Sequence, residues 1–460
     1  MLRTLSESYK SLLMKKQPNK FERGLIYALP IVIFFSYYPV IRLGGNASMN
    51  FELSLPLIWL AMFGLLSMLR MPAILTRLGL MKSVVLLLFP IYVILSVFWS
   101  LNPLRGVLTA GILWLLFMSG MNLLNLELKK DFLRRLLRIY LTASVIVAIF
   151  CIVQCFADVL GVDADITLLC RGCIYETLGF PHPNGLAIEP QFMGNLLIAP
   201  ALISLVLFYR TIKSAKNKRT VFAFAGLSFF LIMSLYVCFS RGALYAFLIG
   251  GAVMGILMLV RDRSARAFYL ILPVVLGFSG GLLLQGVWAE MSPTAENFAQ
   301  GIQRSIHQVT LGKIDLREEV TTEGEQSSFS GYIEESTNVR LDLNEMAVAI
   351  WRSNNPLFGV GIGGAGVAID NYSEELSSKE IVQNEYVNIL LELGVVGIIL
   401  AAVALGIVSI NVLKLKNDRL LAPLIIAYLI TLCFFSGLPN VLHIYLLTPI
   451  LFRVGQKQLL

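Results

Sequence analysis

Arginine side chains at the ends of apolar segments are the residues of this sequence best suited to carry chemistry. Arg171, Arg241 and Arg340 all fall on one side of the membrane under the topology derived below. A guanidinium group stays charged, and its planar fork matches two phosphate oxygens at once. Phosphate groups are therefore a ligand that these side chains suit. We interpret the three arginines as a candidate phosphate-binding site, with Arg241 also as a candidate catalytic residue.

Two candidate proton acceptors precede the sixth apolar segment. The chain reads His182-Pro-Asn-Gly185, and Glu189-Pro190 follows. An acceptor hydroxyl needs a base near its attacking oxygen, and we take Glu189 as the first choice and His182 as the second. A carboxylate before a proline also suits the first turn of a helix, so Glu189 has an alternative role as a partner of the helix dipole.

The tenth apolar segment opens with Gln383-Asn384, whose side-chain amides we interpret as substrate-binding groups. Glu392 follows about two helical turns later. A carboxylate that faces lipid is costly, so we expect Glu392 to face the protein interior. It would be either a structural partner for an arginine or a third candidate base.

Metal and cofactor binding are not predicted. Cys170-x-x-Cys173 together with His182 lacks an evident fourth zinc ligand, and a disulfide or two free thiols at the outer face is favoured. The remaining cysteines lie in apolar runs, where we expect small buried residues: Cys151, Cys155, Cys238 and Cys433.

Long apolar runs must position all of these residues. The chain of 460 residues is 57% hydrophobic and 14% charged, whereas soluble domains carry about 25% charged residues. Backbone groups in lipid must be paired internally, so runs of about 17–25 apolar residues form helices. We predict an all-α polytopic membrane protein with twelve transmembrane helices, at 24–42, 53–69, 83–100, 105–124, 138–158, 188–209, 220–239, 243–260, 267–288, 384–412, 420–438 and 440–453.

The distribution of basic residues predicts the orientation. With both termini in the cytoplasm, most of the 37 Lys and Arg residues lie in cytoplasmic loops, as the positive-inside rule requires. This sorting by membrane side also explains the net charge of +8, so we reject nucleic acid as a partner. The outer segments carry mainly Arg rather than Lys. Snorkelling at the interface is an alternative role for such arginines, but it does not explain why Lys is scarce.

Three regions follow from this topology: helices 1–9 over residues 1–288, a large extracytoplasmic loop over 289–383, and helices 10–12 over 384–460. The first half of the loop is acidic and poor in apolar residues. Its second half predicts an amphipathic helix from Asn338 to Ser353, which Asn354-Asn355-Pro356 would end. We assign its apolar side to Leu341, Met346, Ile350 and Trp351. A glycine-rich run from Gly359 to Gly366 then offers either an anion-binding nest or a plain turn.

These features together resemble the O-antigen polymerase and O-antigen ligase superfamily of bacterial envelope glycosyltransferases. The resemblance covers about residues 180–400. The motifs that carry it are His182-Pro-Asn184 with Glu189-Pro190, Ser240-Arg241-Gly242-Ala243, Arg340 and Trp351 with Asn355-Pro-Leu-Phe-Gly-Val-Gly361, and Gln383-Asn384 ahead of Gly394-Val-Val-Gly397.

The resemblance implies a metal-independent, inverting transferase of GT-C-like fold in the bacterial inner membrane, with its active site on the outer face. Its donor would be an undecaprenyl-diphosphate-linked oligosaccharide. Membrane lipids would surround it, and a chain-length regulator protein is a further candidate partner. A polymerase extends lipid-linked repeat units, whereas a ligase transfers the glycan to lipid A-core. Whether the product is O-antigen, capsule or exopolysaccharide is left open.

One departure from the family pattern favours the polymerase. Ligases of this superfamily carry His-Asn where this chain has Gln383-Asn384, and that histidine is their proposed acceptor-activating residue. Glutamine cannot accept a proton near neutral pH, so a ligase is the second choice. A flippase or transporter of lipid-linked oligosaccharide is the alternative of another class, since transporters also favour twelve helices. Transporters carry charges near mid-membrane, whereas here the charges gather at the outer helix ends.

Overall fold

The structure is a computed structural model of the chain. It describes residues 17–39, 41–43, 51–78, 80–169, 182–214, 217–291, 297–310, 326–372, 382–413, 420–434 and 442–457. Arg171, Cys170 and Cys173 lie outside these residues.

Helices dominate the described part of the chain. The α-helices in chain order are α1 (Lys20–Val32), α2 (Leu55–Leu78), α3 (Leu80–Ser96), α4 (Pro103–Asn125), α5 (Lys130–Val159), α6 (Ala164–Thr167), α7 (Pro190–Lys213), α8 (Lys218–Val237), α9 (Arg241–Asp262), α10 (Ile271–Met291), α11 (Phe298–Val309), α12 (Gln326–Ser353), α13 (Ala365–Tyr372), α14 (Glu385–Leu413), α15 (Leu421–Thr431) and α16 (Leu442–Gln456). Two short strands, β1 (Ile41–Leu43) and β2 (Phe51–Leu53), form an antiparallel pair.

The helical, multi-pass membrane character predicted from the sequence is confirmed. Within the described residues, eight helical segments are long and apolar enough to cross a bilayer, namely Leu55–Thr76, Pro103–Asn125, Lys130–Val159, Pro190–Lys213, Lys218–Val237, Arg241–Arg261, Ala265–Met291 and Glu385–Ile407. Ser83–Trp99 and Leu421–Thr431 are shorter apolar helices. Each of the twelve predicted spans overlaps a helix, and the count of twelve stays a prediction.

The first predicted span, 24–42, is wrong in its second half. Helix α1 ends at Val32, two residues after Pro30, which removes a backbone hydrogen bond from the helix. The chain then turns, and residues 41–43 pair as a strand with residues 51–53. The prediction missed the pair because β1 is only three residues long and continues an apolar run.

Helix α7 lies at the centre of the bundle. It is apolar on all sides, and nearly all of its side chains are buried against α5, α8, α9 and α15. A helix without a polar face is stable only when it is surrounded. The bundle therefore fixes the position of Glu189, which immediately precedes α7.

Two parts of the large loop pack back onto the membrane helices. Helix α11 lies against α10, and the Tyr236 hydroxyl on α8 is hydrogen-bonded to Ser305 at 2.7 Å. Helices α12 and α13 pack against α14. Helix α12 ends at Ser353, which confirms the predicted terminator.

Two predictions of burial need correction. Among the described side chains of α12, Leu343, Ala347 and Ile350 are buried, and Met346 and Trp351 pack against this cluster as predicted, whereas Leu341 is 54% exposed. The helix begins at Gln326, and Val360, Ala365 and Leu391 supply the surface against which its apolar side packs. Cys433 is exposed because it lies beyond the end of α15, whereas Cys151, Cys155 and Cys238 are buried as predicted.

Candidate functional site

The turn between α8 and α9 presents Arg241 as the first residue of a helix. The Ser240 side chain caps α9 by accepting a hydrogen bond from the Ala243 amide at 3.3 Å. Phe239, just before it, has a left-handed backbone with φ of 49°. Gly242 faces Phe434, and a Cβ atom at this glycine would lie 2.8 Å from the Cβ of Phe434. The predicted tight turn at Ser240-Arg241-Gly242 is thus present.

His182 lies directly against this turn. Its ring is 5.7 Å from the ring of Phe239, centroid to centroid, and its side chain hydrogen-bonds to the backbone of Cys238. Burial lowers the pKa of His182 to about 3, the backbone hydrogen bond opposes that shift, and the nearby Arg241 guanidinium adds to it. The imidazole is therefore neutral at pH 7, and Arg241 lies within its electrostatic reach.

Buried amide side chains hold the segment that carries His182. Gln154 on α5 accepts from the Gly185 amide at 2.7 Å and donates to the Gly185 carbonyl at 3.1 Å. Asn184 donates to the carbonyls of Leu168 and Ala187 at 3.1 and 2.6 Å. Gly185 has a φ of 57°, which glycine adopts without strain. These contacts fix the backbone from residue 184 to 187 just below the histidine.

Glu189 immediately precedes α7, whose early residues pack against the same turn. Its Oε2 atom accepts a hydrogen bond from Gln191 at 2.5 Å, and its side chain does not cap the helix. Five residues after Glu189, a Cβ atom at Gly194 would lie 2.7 Å from the Cβ of Ser240. The backbones of α7 and α9 therefore approach closely at Gly194.

The start of α14 joins this group through the end of α15. The Glu385 amide donates to the Leu432 carbonyl at 2.9 Å, two residues before Phe434. Asn384 caps α14 by accepting from the amides of Tyr386 and Val387 at 3.1 and 3.3 Å. The side chain predicted to bind substrate is thus engaged in capping its own helix.

Gln383 differs from Asn384 in its surroundings. Its Oε1 atom is buried and has no hydrogen-bond partner in the part of the chain that the structure describes. A buried amide oxygen without a partner is costly, and a ligand hydroxyl would satisfy it. Gln383 follows Val382, which is fully buried in the cluster that also contains Leu343 of α12. Arg340 lies about one turn before Leu343 on the same helix.

The start of α9, which carries Arg241, packs against Gly194 of α7 and against Phe434, and the start of α14 is hydrogen-bonded to Leu432, two residues before Phe434. The N-terminus of α9 is the positive end of a helix dipole. Together with the Arg241 guanidinium it forms a positively polarised region suited to an anion such as a diphosphate. His182 and Arg241 are brought together here, whereas Glu189 lies five residues before Gly194 and Gln383 lies two residues before α14.

Glu392 has a different environment from the one that a catalytic base requires. It is 7% exposed, which confirms that it faces the interior. Its carboxylate accepts the amides of Gly363 and of Ala365, the latter at 3.3 Å, and Arg105 lies close enough to interact with its charge. The glycine-rich run thus binds an internal carboxylate, and of the two predicted roles the structural one is supported.

Gln154 also shapes this region, and it was not among the residues predicted for the site. Gln154 is a polar side chain inside an apolar segment, and such residues are expensive in a bilayer and mark a specific partner. That signal was available in the sequence. Among the described residues, no group of His, Cys, Asp or Glu side chains is arranged to hold a metal ion.

A helical, multi-pass membrane protein is the class that the fold defines. Residues 226–402 match the family model described as O-antigen ligase. This match confirms the predicted resemblance to the O-antigen ligase and polymerase superfamily, and it includes Arg241, Arg340, Gln383 and Glu392. No curated protein and no solved structure matches the chain.

Proposed function

We propose that this protein is a cell-surface polysaccharide polymerase that joins undecaprenyl-diphosphate-linked repeat units on the outer face of the bacterial inner membrane. The observation that carries the proposal is the position of Arg241 at the N-terminus of α9, within electrostatic reach of the buried His182. A fixed positive region of this kind favours a diphosphate whose negative charge grows as it leaves.

The proposed reaction is a single displacement. The acceptor sugar hydroxyl attacks the anomeric carbon of the donor glycan while the bond from that carbon to the diphosphate oxygen breaks. The hydroxyl proton passes to Glu189, and undecaprenyl diphosphate leaves with its bonding electron pair. One displacement inverts the anomeric configuration. Arg241 stabilises the leaving diphosphate, with Arg171 and Arg340 as further candidates, so that no metal ion is required.

The surroundings of the two candidate bases favour Glu189. The pKa of about 3 makes His182 a weak proton acceptor at neutral pH. Its ring instead contacts Phe239 and the Cys238 backbone, and so braces the turn that presents Arg241. Glu189 accepts a side-chain hydrogen bond from Gln191, its neighbour on the same segment. We therefore assign proton transfer to Glu189 and support of Arg241 to His182.

A ligase is the second candidate, because the family model over residues 226–402 carries that description. Against it, Gln383 stands where the ligases carry their proposed acceptor-activating histidine. Under the ligase alternative the same Arg241 site would bind the donor, and lipid A-core would be the acceptor. Only the acceptor distinguishes the two activities.

Turnover with purified protein tests the proposal. The protein, in detergent or nanodiscs, receives a defined undecaprenyl-diphosphate-linked repeat unit alone, or the same donor with lipid A-core. Ladders of lipid-linked glycan without lipid A-core support the polymerase. Transfer that requires lipid A-core supports the ligase instead. Movement of unchanged donor between the leaflets of liposomes, without any transfer, would indicate a flippase and overturn the proposal.

Deletion of the gene in its host gives an independent readout. Single repeat units on the final acceptor indicate loss of a polymerase. Bare acceptor together with long lipid-linked chains indicates loss of a ligase. Complementation with Arg241→Lys should fail in the polymerase case, and complementation with Arg261→Lys, at the other end of the same helix, should succeed.

A further inference from the structure

Helix α14 is interrupted at Gly394, and the large loop fills the interruption. Gly394 has φ of 65° and ψ of −167°, which breaks the helical path. On one side of the break, the amides of Val395 and Val396 donate to the carbonyls of Pro356 and Leu357 at 3.0 and 3.1 Å. The backbone groups that a helix break would leave unpaired are thus satisfied by the loop.

The loop pairs with the other side of the break as well. The amides of Val360 and Gly361 donate to the carbonyls of Leu391 and Glu392 at 2.9 and 2.8 Å. The same segment also reaches the turn between α3 and α4, where the Ser100 hydroxyl donates to the Ile362 carbonyl at 2.8 Å. Three separate parts of the chain therefore meet at residues 356–362.

The contacts at this junction leave no free space. A Cβ atom at Gly361 would lie 2.3 Å from the Cα of Ser100, and one at Gly394 would lie 2.3 Å from the Leu357 carbonyl oxygen. The glycines here permit backbones to approach each other, so their role is to close the junction. The amides of Gly363 and Ala365 in this run do bind an anion, which is the internal Glu392 carboxylate.

The Glu392 carboxylate is a charged group at this junction. It lies on α14 immediately before the break, accepts the amides of Gly363 and Ala365 at the start of α13, and faces Arg105 on α4. Hydrogen bonds to an ionic acceptor are stronger than those between neutral groups. A single side chain therefore links the loop, α4 and α14.

We infer that Glu392 is a positioning residue that holds the Arg340-bearing part of the outer loop at a fixed place relative to Gln383 and the site around Arg241. Helix α12 carries Arg340 and leads directly into residues 356–364, and α14 begins with the Gln383 segment on the outer side of Glu392. This inference rests on the proposed function for what Arg340 and Gln383 do. The junction itself is independent of it.

Glu392→Gln tests the inference, because it keeps the size of the side chain and removes its charge. The matched control is Glu345→Gln, the same change at an exposed position of α12. Two measurements are made on full-length protein in nanodiscs: transfer kinetics with the lipid-linked repeat unit, and backbone hydrogen exchange of residues 359–366. If Glu392→Gln does not accumulate, Glu392→Asp is used in its place. This change keeps the charge on a shorter side chain.

For Glu392→Gln we expect exchange at residues 359–366 to become faster and kcat to fall roughly 10- to 100-fold, as for misplaced substrate-positioning groups. The KM for the donor should change little, and Glu345→Gln should match wild type in both measurements. A fall in kcat with unchanged exchange would mean that Glu392 acts in the chemistry and would overturn the inference. Faster exchange with unchanged kcat, or no change in either, would overturn it as well.

The two proposals fail in different ways. If the wild-type protein transfers no glycan, the proposed function fails, and hydrogen exchange alone decides whether Glu392 closes the junction. Faster exchange then supports that part of the inference, and unchanged exchange refutes it.

Discussion

The His182 imidazole stands edge-on to Phe239, with 5.7 Å between the ring centroids and 63° between the ring planes. Phe239 is one of the three non-glycine residues with a left-handed backbone in the described part of the chain. Such a backbone is strained in a bulky residue and persists only where its surroundings hold it. Here the strained residue directly precedes the cap and first residue of α9, so the His182 contact helps to define where Arg241 points.

Acidification should destabilise the protein through His182. Its pKa is about 3 in the folded state, against about 6.5 in the unfolded chain. The unfolded chain therefore binds the proton first, and stability falls as the pH decreases from about 6.5 towards 3. The slope from this group is at most about 1.4 kcal/mol per pH unit. Thermal unfolding of wild type and His182→Gln at pH 7 and pH 5 measures it.

We expect the melting temperature of wild type to drop more than that of His182→Gln between these two pH values. Equal drops would show that His182 is already accessible to protons in the folded protein. The transfer rate should also show no change between pH 5 and 8 that is caused by titration of His182, because His182 stays neutral over that range.

Arg241→Lys should lose transfer activity while the protein accumulates normally. Lysine keeps the charge but loses the planar fork that binds two phosphate oxygens. We expect a decrease in kcat of roughly 100- to 1000-fold, the usual effect of removing one transition-state donor. Initial rates with the lipid-linked donor measure it, and Arg261→Lys, exposed at the far end of α9, is the control. Unchanged polymer length and yield in Arg241→Lys would show that Arg241 is not part of the site.

Substitutions of the adjacent residues Gln383 and Asn384 should have different effects, one on KM and the other on stability. Asn384→Ala removes the cap of α14 and should lower the free energy of unfolding by about 1 kcal/mol. Asn384→Asp, which preserves an acceptor at the cap, should retain most of that stability. Gln383→Ala should leave stability nearly unchanged and raise the KM for donor or acceptor, because its buried oxygen has no partner among the described residues. A stability loss in Gln383→Ala with unchanged KM would contradict this assignment.

Gly361→Ala should disrupt the junction between the outer loop and α14. The residue has φ of 85°, and its new methyl group would overlap the Ser100 backbone. Backbone strain and overlap together should cost about 2–5 kcal/mol. Gly251→Ala is the control, because that glycine lies in α9 with nothing within 4 Å of a Cβ atom. Thermal unfolding compares the two variants, and similar melting temperatures would show that the junction is readily displaced.

Local features of the site could be predicted from the sequence. The turn at Ser240 and Arg241 lies between two long apolar runs, and Pro356 with its preceding asparagines marks the end of α12. In both cases the residues that determine the structure are neighbours in the chain. The burial of Glu392 was also predictable, because the cost of exposing a carboxylate to lipid leaves few alternatives.

Features that depend on distant contacts could not be predicted. Val360 and Leu391 pair through backbone atoms. Such a hydrogen bond does not depend on the side chains, so the sequence does not indicate it. The exposure of Leu341 on α12 depends on the loop and α14 surfaces that the helix meets. The capping role of Asn384 is local, because asparagine directly before a helix is a common N-cap. Gln154 is also predictable, because a polar side chain inside an apolar segment indicates a specific partner.

The interruption of α14 also sets the depth of the site. Residues 395–413 alone form roughly 28 Å of helix, close to the hydrocarbon thickness of about 30 Å. We therefore expect the part of α14 before Gly394 to reach the level of the lipid headgroups. A polyprenyl diphosphate presents its phosphates at that same level while its tail stays in the leaflet. The donor would therefore meet the start of α14 by sideways diffusion alone, without being lifted out of the bilayer.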